Sequence, residues 1–400
     1  MTDITFALAS CQYPAGFLDR EIAEASLRRL GKRLDAENDE LVPEFLLLVG
    51  DQVYVDATAG LFDPATRFDR FMTTYERFHD REGALQDLAR RMTVYMMLDD
   101  HEIEDNWEPG NGSKTDENME QARRAYLAFQ RRAGPPQILP EPSWDSKEPL
   151  WYTFERRGFP FFVADTRTER TARSAATVTD ARIMSETQFK KLLCWLSEQD
   201  LDVPKFIASP AILLPRHLRA VQHGHPTSAL RSDAWDGYPY SLHRVLGYIA
   251  TRRIRNVVFL SGDEHLSCVA RASITPNGSN QPVDILSIHS SALHAPFPFA
   301  NAITEDFAVP DEFSFSVSPQ HISCEANGGP GFDWGGAYSC KVETDFAPPG
   351  DGFAVLRAVK EDRRWTMYCD FNRAADRRHA LGDDHPMAFS LGDDGRVTKD

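Results

Sequence analysis

The sequence predicts an α/β fold, and three observations carry that reading. First, 400 residues of 42% hydrophobic content suffice for a full-sized core without help from disulfides or a partner. Second, short continuous apolar runs alternate along the chain with amphipathic helical patterns. Third, several of those runs stop abruptly at polar clusters. Unbroken Leu/Val/Met runs are what strands covered on both faces require, so the expectation is a central sheet layered between helices. No repeat, low-complexity run or charge block long enough for a linker interrupts the pattern, which favours one elaborated domain over residues 1–400.

The elements follow in order. Ile4 to Ala9 reads as a strand ending at Ser10-Cys11, and Ile22, Leu27, Leu30 and Leu34 mark a helix after it. Phe45 to Val49 is a second strand, stopping at Gly50-Asp51. Helices are expected across Phe68 to Phe78 and Ala84 to Arg91, then a strand over Thr93 to Leu98 that stops at Asp99-Asp100. A helix near Asn118 to Arg131 precedes a proline-rich excursion (Pro135, Pro136, Pro140, Pro142). Trp151 to Phe154 and Phe159 to Ala164 pair as a hairpin around Arg157-Gly158. Ser185 to Ser197 is a helix, with Ser185 as N-cap and Gln188 completing a capping box. Phe206 to Ala208, Val257 to Leu260, Val269 to Ala270 and Val283 to Ile288 add strands. Ala295 to Gly352 reads as loop-rich from its many Gly and Pro. Phe353 to Ala358 and Trp365 to Phe371 close the sheet as a C-terminal hairpin.

Four strand ends carry chemistry: Cys11-Gln12; Gly50-Asp51-Gln52-Val53-Tyr54; Asp99-Asp100-His101-Glu102; and Ser261-Gly262-Asp263-Glu264-His265. Ligands of α/β sheets sit beyond the carboxyl ends of strands, so the four clusters should converge. Carboxylate, imidazole, phenolate and thiolate are metal ligands. Taken singly each cluster has a plainer reading: Gly-Asp is a common turn, a lone Cys is usually a small buried hydrophobe, and acidic residues favour helix starts. Their order and placement at strand ends favour function.

These segments resemble the calcineurin-like metallophosphoesterases, and within them the alkaline phosphatase D, or PhoD-like, branch. That branch carries SC, GDxxY, DDHE and SGDxH motifs, matched here by Ser10-Cys11, Gly50-Asp51 with Tyr54, Asp99 to Glu102, and Ser261 to His265. Phe162 to Arg167 is similar to its DxR segment. Leu98 stands where the branch often has Trp, and no separate histidine matches the superfamily's middle metal ligand. The resemblance implies a four-layer α/β/β/α sandwich of two mixed sheets. It also implies hydrolysis of phosphomonoesters, phosphodiesters or both by a metal-bridging hydroxide, in which two cations about 3.5 to 4 Å apart stabilise attacking and leaving oxygens. Asp51 is the implied bridge, with Cys11 and Tyr54 on the first ion, Asp100 on the second, and Asp263 and His265 completing the shell. His101 lies beside the scissile bond; Arg167, helped by Arg170, grips phosphoryl oxygens; Asn106 is a further substrate contact. Fe3+ with Ca2+ is the implied metal content, and other divalent transition metals suit the same donors. A non-catalytic phosphoester- or metabolite-binding protein on the same scaffold is the alternative. An iron oxygenase would want a two-histidine-one-carboxylate set that the motifs do not supply.

Charge and cysteine usage set the surroundings. Forty-four basic against 60 acidic residues give −16, with no basic stripe to follow a nucleic-acid backbone, so a small phosphoester is the expected partner. Six cysteines without a CxxC pair read as free thiols in a reducing compartment. Asp3, the lack of a basic segment at Met1 to Ser10, and the lack of any membrane-length apolar run lead to an expected cytoplasmic location with no membrane span. Oligomeric state is not legible.

Overall fold

The computed structural model describes residues 3–13, 20–36, 41–56, 67–80, 82–110, 113–131, 148–295, 302–324, 331–361, 364–373 and 386–400. The proline-rich excursion and most of the Ala-Pro-Phe-Pro-Phe segment from Ala295 lie outside them. The strands are β1 (Asp3–Gln12), β2 (Phe45–Val49), β3 (Thr93–Met97), β4 (Tyr152–Arg156), β5 (Phe159–Val163), β6 (Lys205–Ala208), β7 (Val257–Ser261), β8 (Cys268–Pro276), β9 (Val283–His289), β10 (Ala292–His294), β11 (Asp311–Ile322), β12 (Phe332–Phe346), β13 (Gly352–Glu361), β14 (Arg364–Arg373), β15 (Met387–Leu391) and β16 (Val397–Lys399). The helices are α1 (Arg20–Ala23), α2 (Ala25–Leu34), α3 (Arg67–Asp80), α4 (Ala84–Arg91), α5 (Ser113–Phe129), α6 (Glu186–Glu198), α7 (Leu218–Val221) and α8 (Pro239–Arg252).

Two mixed sheets result. One runs β16-β15-β14-β13-β1-β2-β3 with β10 alongside β1; the other runs β11-β12-β8-β9-β7-β6-β5-β4. In the first, β1, β2 and β3 are parallel, and so are β5, β6, β7 and β9 in the second. The sheets face each other across one core, in which Ile4, Phe6, Leu8 and Leu47 of the first meet Phe161, Phe206, Leu260 and Ile288 of the second. Leu27 and Leu30 of α2 with Leu85 and Leu88 of α4 cover the outside of the first sheet. Phe189 and Leu192 of α6 with Val245 and Ile249 of α8 cover the second. This is the four-layer α/β/β/α sandwich, and it explains the unbroken apolar runs, since every central strand is buried on both faces.

Three expectations need correction. The stretch from Ala295 to Gly352 is not mainly loop: β11 and β12 pair over its length, with a register shift between Val317 and Gln320. Phe315 and Val317 point inward between exposed serines, the period of a strand with one wet face, and the flanking Gly and Pro obscure it. The capping box of α6 is half made. Ser185 Oγ accepts the Gln188 N–H at 3.2 Å, while the Gln188 side chain turns away to donate to the Asp165 carbonyl at 2.9 Å. The cysteines are not all thiols, because Cys194 on α6 is disulfide-bonded to Cys324 beyond β11. Cys11, Cys268, Cys340 and Cys369 are free and buried. The step from free thiols to a reducing compartment therefore loses its footing. No helix among the described residues is long and apolar enough to cross a membrane.

Candidate metal centre

The backbone at the strand ends is bent to bring short side chains together. Among the described residues only eight other than glycine have positive φ, and four are Cys11 (52°), Asp51 (59°), Asp263 (86°) and His265 (55°). Such conformations cost of order 1–3 kcal/mol each and cluster where function holds them. Two glycines permit the approach: a Cβ on Gly50 would lie 2.6 Å from Asp99 Cβ, and one on Gly262 would lie 2.3 Å from Ser10 Cβ. The Gly-Asp turns are thus contacts between strand ends.

Asp51, Asp99, Asp100 and Asp263 each bring a carboxylate oxygen to within 4.8 Å of the other three, and Asp100, His101 and Asp105 form a second such group. Cys11 Sγ lies 3.5 Å from Asp51 Oδ2. The Tyr54 ring stacks on His101 at 4.2 Å, and Tyr13 meets Tyr54 edge-on at 5.1 Å. Tyr54 is close enough to feel the charges of Cys11, Asp51, Asp100 and Asp263; His265 feels those of Glu264, His101, Asp351 and Asp100. The six residues expected to hold metal therefore share one neighbourhood, with Asp99 added.

Burial, then the neighbouring carboxylates, pushes Asp51 and Asp263 well above the usual carboxylate range. Asp99 is raised to about 7 by burial, with Arg167 opposing. For Asp100 burial is outweighed by Arg167 and His101, and its pKa falls. Burial also raises the Cys11 thiol and the Tyr54 phenol and lowers His265. Asp99 Oδ2 and His265 Nδ1 are buried without a hydrogen-bond partner. Four close carboxylates, a thiol, a phenol and a neutral imidazole fit a cation, which would counter the raised pKa values of Asp51, Asp99, Asp263, Cys11 and Tyr54 and reinforce the lowered ones of Asp100 and His265.

His101 differs in kind. Burial is outweighed by Asp100 and Asp56, so its pKa rises to about 10 and its charged form is favoured. Its Nδ1 donates to Asp56 Oδ2 at 2.8 Å, while Nε2 lies 3.9 Å from Asp105 Oδ1. Asp56 escaped the sequence reading, since a lone Asp two residues past Tyr54 belongs to no motif.

The arginines lie beside the carboxylate cluster, turned toward protein groups. The Arg167 side chain is 0% exposed: Nε meets Asp99 Oδ1 at 2.6 Å, Nη1 meets Asp233 Oδ2 at 2.8 Å, and Nη2 approaches Asp100 Oδ1 at 3.5 Å. Its Nε and Nη1 are engaged by carboxylates, so in this structure it neutralises part of the acidic cluster. Arg170 is likewise buried, donating to the carbonyls of Thr166 and Asp233. Asn106 reaches the site through its backbone, N to Asp100 Oδ2 at 2.6 Å; its side chain is exposed and donates to Asp105. Asp233 lies in an irregular segment with no sequence signal. His217 is clamped between Asp236 at 3.0 Å and Glu264 at 2.8 Å, and His289 Nδ1 pairs with Ser261 Oγ at 2.9 Å.

Paired sheets with a carboxylate cluster at their parallel strand ends define an α/β protein with a candidate metal site. The family model of the PhoD-like phosphatases matches residues 6–323. The chain belongs to the PhoD-like phosphatase family, which supports a phosphoesterase function, and its acidic cluster could hold metal ions. Among solved structures it is similar to PhoD, with a TM-score of 0.64 and 14% identity, covering 100% of this chain and 72% of that one. A second structure, GAP50, described as the anchor in the inner membrane complex of Plasmodium, aligns at TM-score 0.41 and 12% identity over 96% of this chain and 89% of its own. No curated protein matches the chain.

Proposed function

We propose that the chain hydrolyses small phosphomonoesters, phosphodiesters or both at this centre. The observation that carries the reading is the meeting of Asp51, Asp99, Asp100 and Asp263 from three separate strand ends. Asp51 would be shared between two cations, with Cys11 and Tyr54 on one side and Asp100, Asp263 and His265 completing the shells. The thiol and phenol suit a transition metal such as Fe3+, and the oxygen donors near Asp100 suit Ca2+. When bound, the ions supply Lewis acidity and a water-derived nucleophile at neutral pH.

The protein's own groups do the rest. Asp56 fixes His101 through Nδ1, and the proton on Nε2, 3.9 Å from Asp105 Oδ1, is the one that would pass to the departing alkoxide. Tyr54, stacked on that ring, keeps its plane fixed and shields one face from water. Arg167 holds Asp99 and Asp100 in place and limits the repulsion that the ions must overcome.

A panel of chromogenic phosphate mono- and diesters, assayed before and after chelation, tests this. Hydrolysis should vanish with chelator and return with metal. His101→Ala should lower kcat by about 10²- to 10⁴-fold with little change in KM. A metal-replete protein that binds these esters without turning them over contradicts the reading and favours a binding module.

A further inference from the structure

We propose that Glu102 is the positioning residue of the metal centre, a clasp that fixes two metal-bearing loops through their backbone. Its side chain is fully buried and belongs to neither group of converging ligand atoms. The carboxylate instead takes five hydrogen bonds. Oε2 accepts from the N–H of Asp51 at 3.0 Å and of Asp99 at 2.9 Å. Oε1 accepts from the N–H of Gln52 at 2.8 Å and of Val53 at 3.1 Å, and from Gln130 Nε2 at 3.1 Å. Gln130, just past α5, also donates to Gln52 Oε1 at 3.0 Å, which ties the clasp to the helix layer.

The donors lie in the right places for this task. Three consecutive N–H groups of the loop after β2 converge on one carboxylate, as in an anion-binding backbone nest, with the anion supplied by the chain itself. One of the three belongs to Asp51, whose φ of 59° lies in the left-handed region that few residues other than glycine occupy. The fourth N–H is that of Asp99, so a single side chain sets the spacing between the Asp51 loop and the Asp99-Asp100 loop. A neutral amide could not replace it, because the NH2 of Gln would oppose N–H donors already aimed at that position. Glu102 therefore acts through Asp51, Asp99 and Asp100 and touches neither substrate nor ion.

The inference rests on the metal reading of the site, and the test separates the two. The full-length protein is stripped of metal and titrated with Mn2+ against a competing chelator, as wild type, Glu102→Gln, Glu102→Asp and Leu391→Ala. Leu391 is a buried residue of β15, and its truncation is a stability control. Glu102→Gln should weaken Mn2+ binding about 10- to 100-fold, the range typical for residues that orient ligands from behind. Its activity should recover as Mn2+ is raised, Glu102→Asp should fall between it and wild type, and Leu391→Ala should bind as wild type despite a lower Tm. Binding by Glu102→Gln within twofold of wild type overturns the clasp, as does an equal loss in Leu391→Ala. A wild type that takes up no Mn2+ overturns the clasp together with the metal reading beneath it. Should Glu102→Gln yield no soluble protein, Gln130→Leu, which removes one of the five donors, should weaken binding several-fold, and unchanged binding there overturns the clasp.

Discussion

Arg167 shows how the chemistry of one residue is set by what surrounds it. A buried guanidinium pairs with Asp99, Asp100 and Asp233 together, and removing it strips each of them of its nearest arginine charge. Arg167→Gln is expected to lower unfolding free energy by about 3–5 kcal/mol, measured by urea denaturation of the metal-free protein. An unchanged stability with a raised KM would instead favour the phosphate-gripping role that the sequence motif implied. The motif's arginine lies against Asp99 and Asp100. Its partner Asp233 arrives from an irregular segment 66 residues away, which no local pattern reveals.

At the scale of elements, the strand ends were legible because a doubly covered strand is an unbroken apolar run and its end is a sudden change to polar residues. β2 and α4 fall where their patterns put them. β11 was hidden because one of its faces is wet, and α8 because its buried face merges with Tyr and Gly. The α8–β11 contact carries its own prediction. His243 of α8 stacks on Phe315 at 4.8 Å, and burial, with the nearby Arg216 charge, lowers its pKa to about 4 from 6.5. The folded state holds this ring neutral while the unfolded chain protonates it below 6.5. Its contribution is therefore intact above that value and lost as pH falls toward about 4, by up to about 3 kcal/mol. In His243→Phe, urea midpoints collected from pH 7 down to about 4 should decline less steeply than in wild type; parallel slopes would refute the assignment.

The whole molecule joins two half-sites. The first sheet supplies Cys11, Asp51 and Asp100, the second supplies Asp263 and His265, and the shared core between the sheets sets the distance across which they meet. A sequence displays each half as a list of motifs, but the distance between them belongs to packing, as does the disulfide joining α6 to the segment after β11. Denatured without reductant, the protein should show four reactive thiols, rising to six with reductant, by alkylation and mass measurement. Reduction should also lower its stability by about 2–4 kcal/mol.

The most direct measurement is the metal content of purified protein beside that of its Asp51→Asn variant, each equilibrated with metal and then dialysed. Stoichiometric metal in the wild type, lost with turnover in a variant that still folds, is the expected result. Equal metal in both proteins, or none in a folded wild type, would mean that these carboxylates meet for some other purpose.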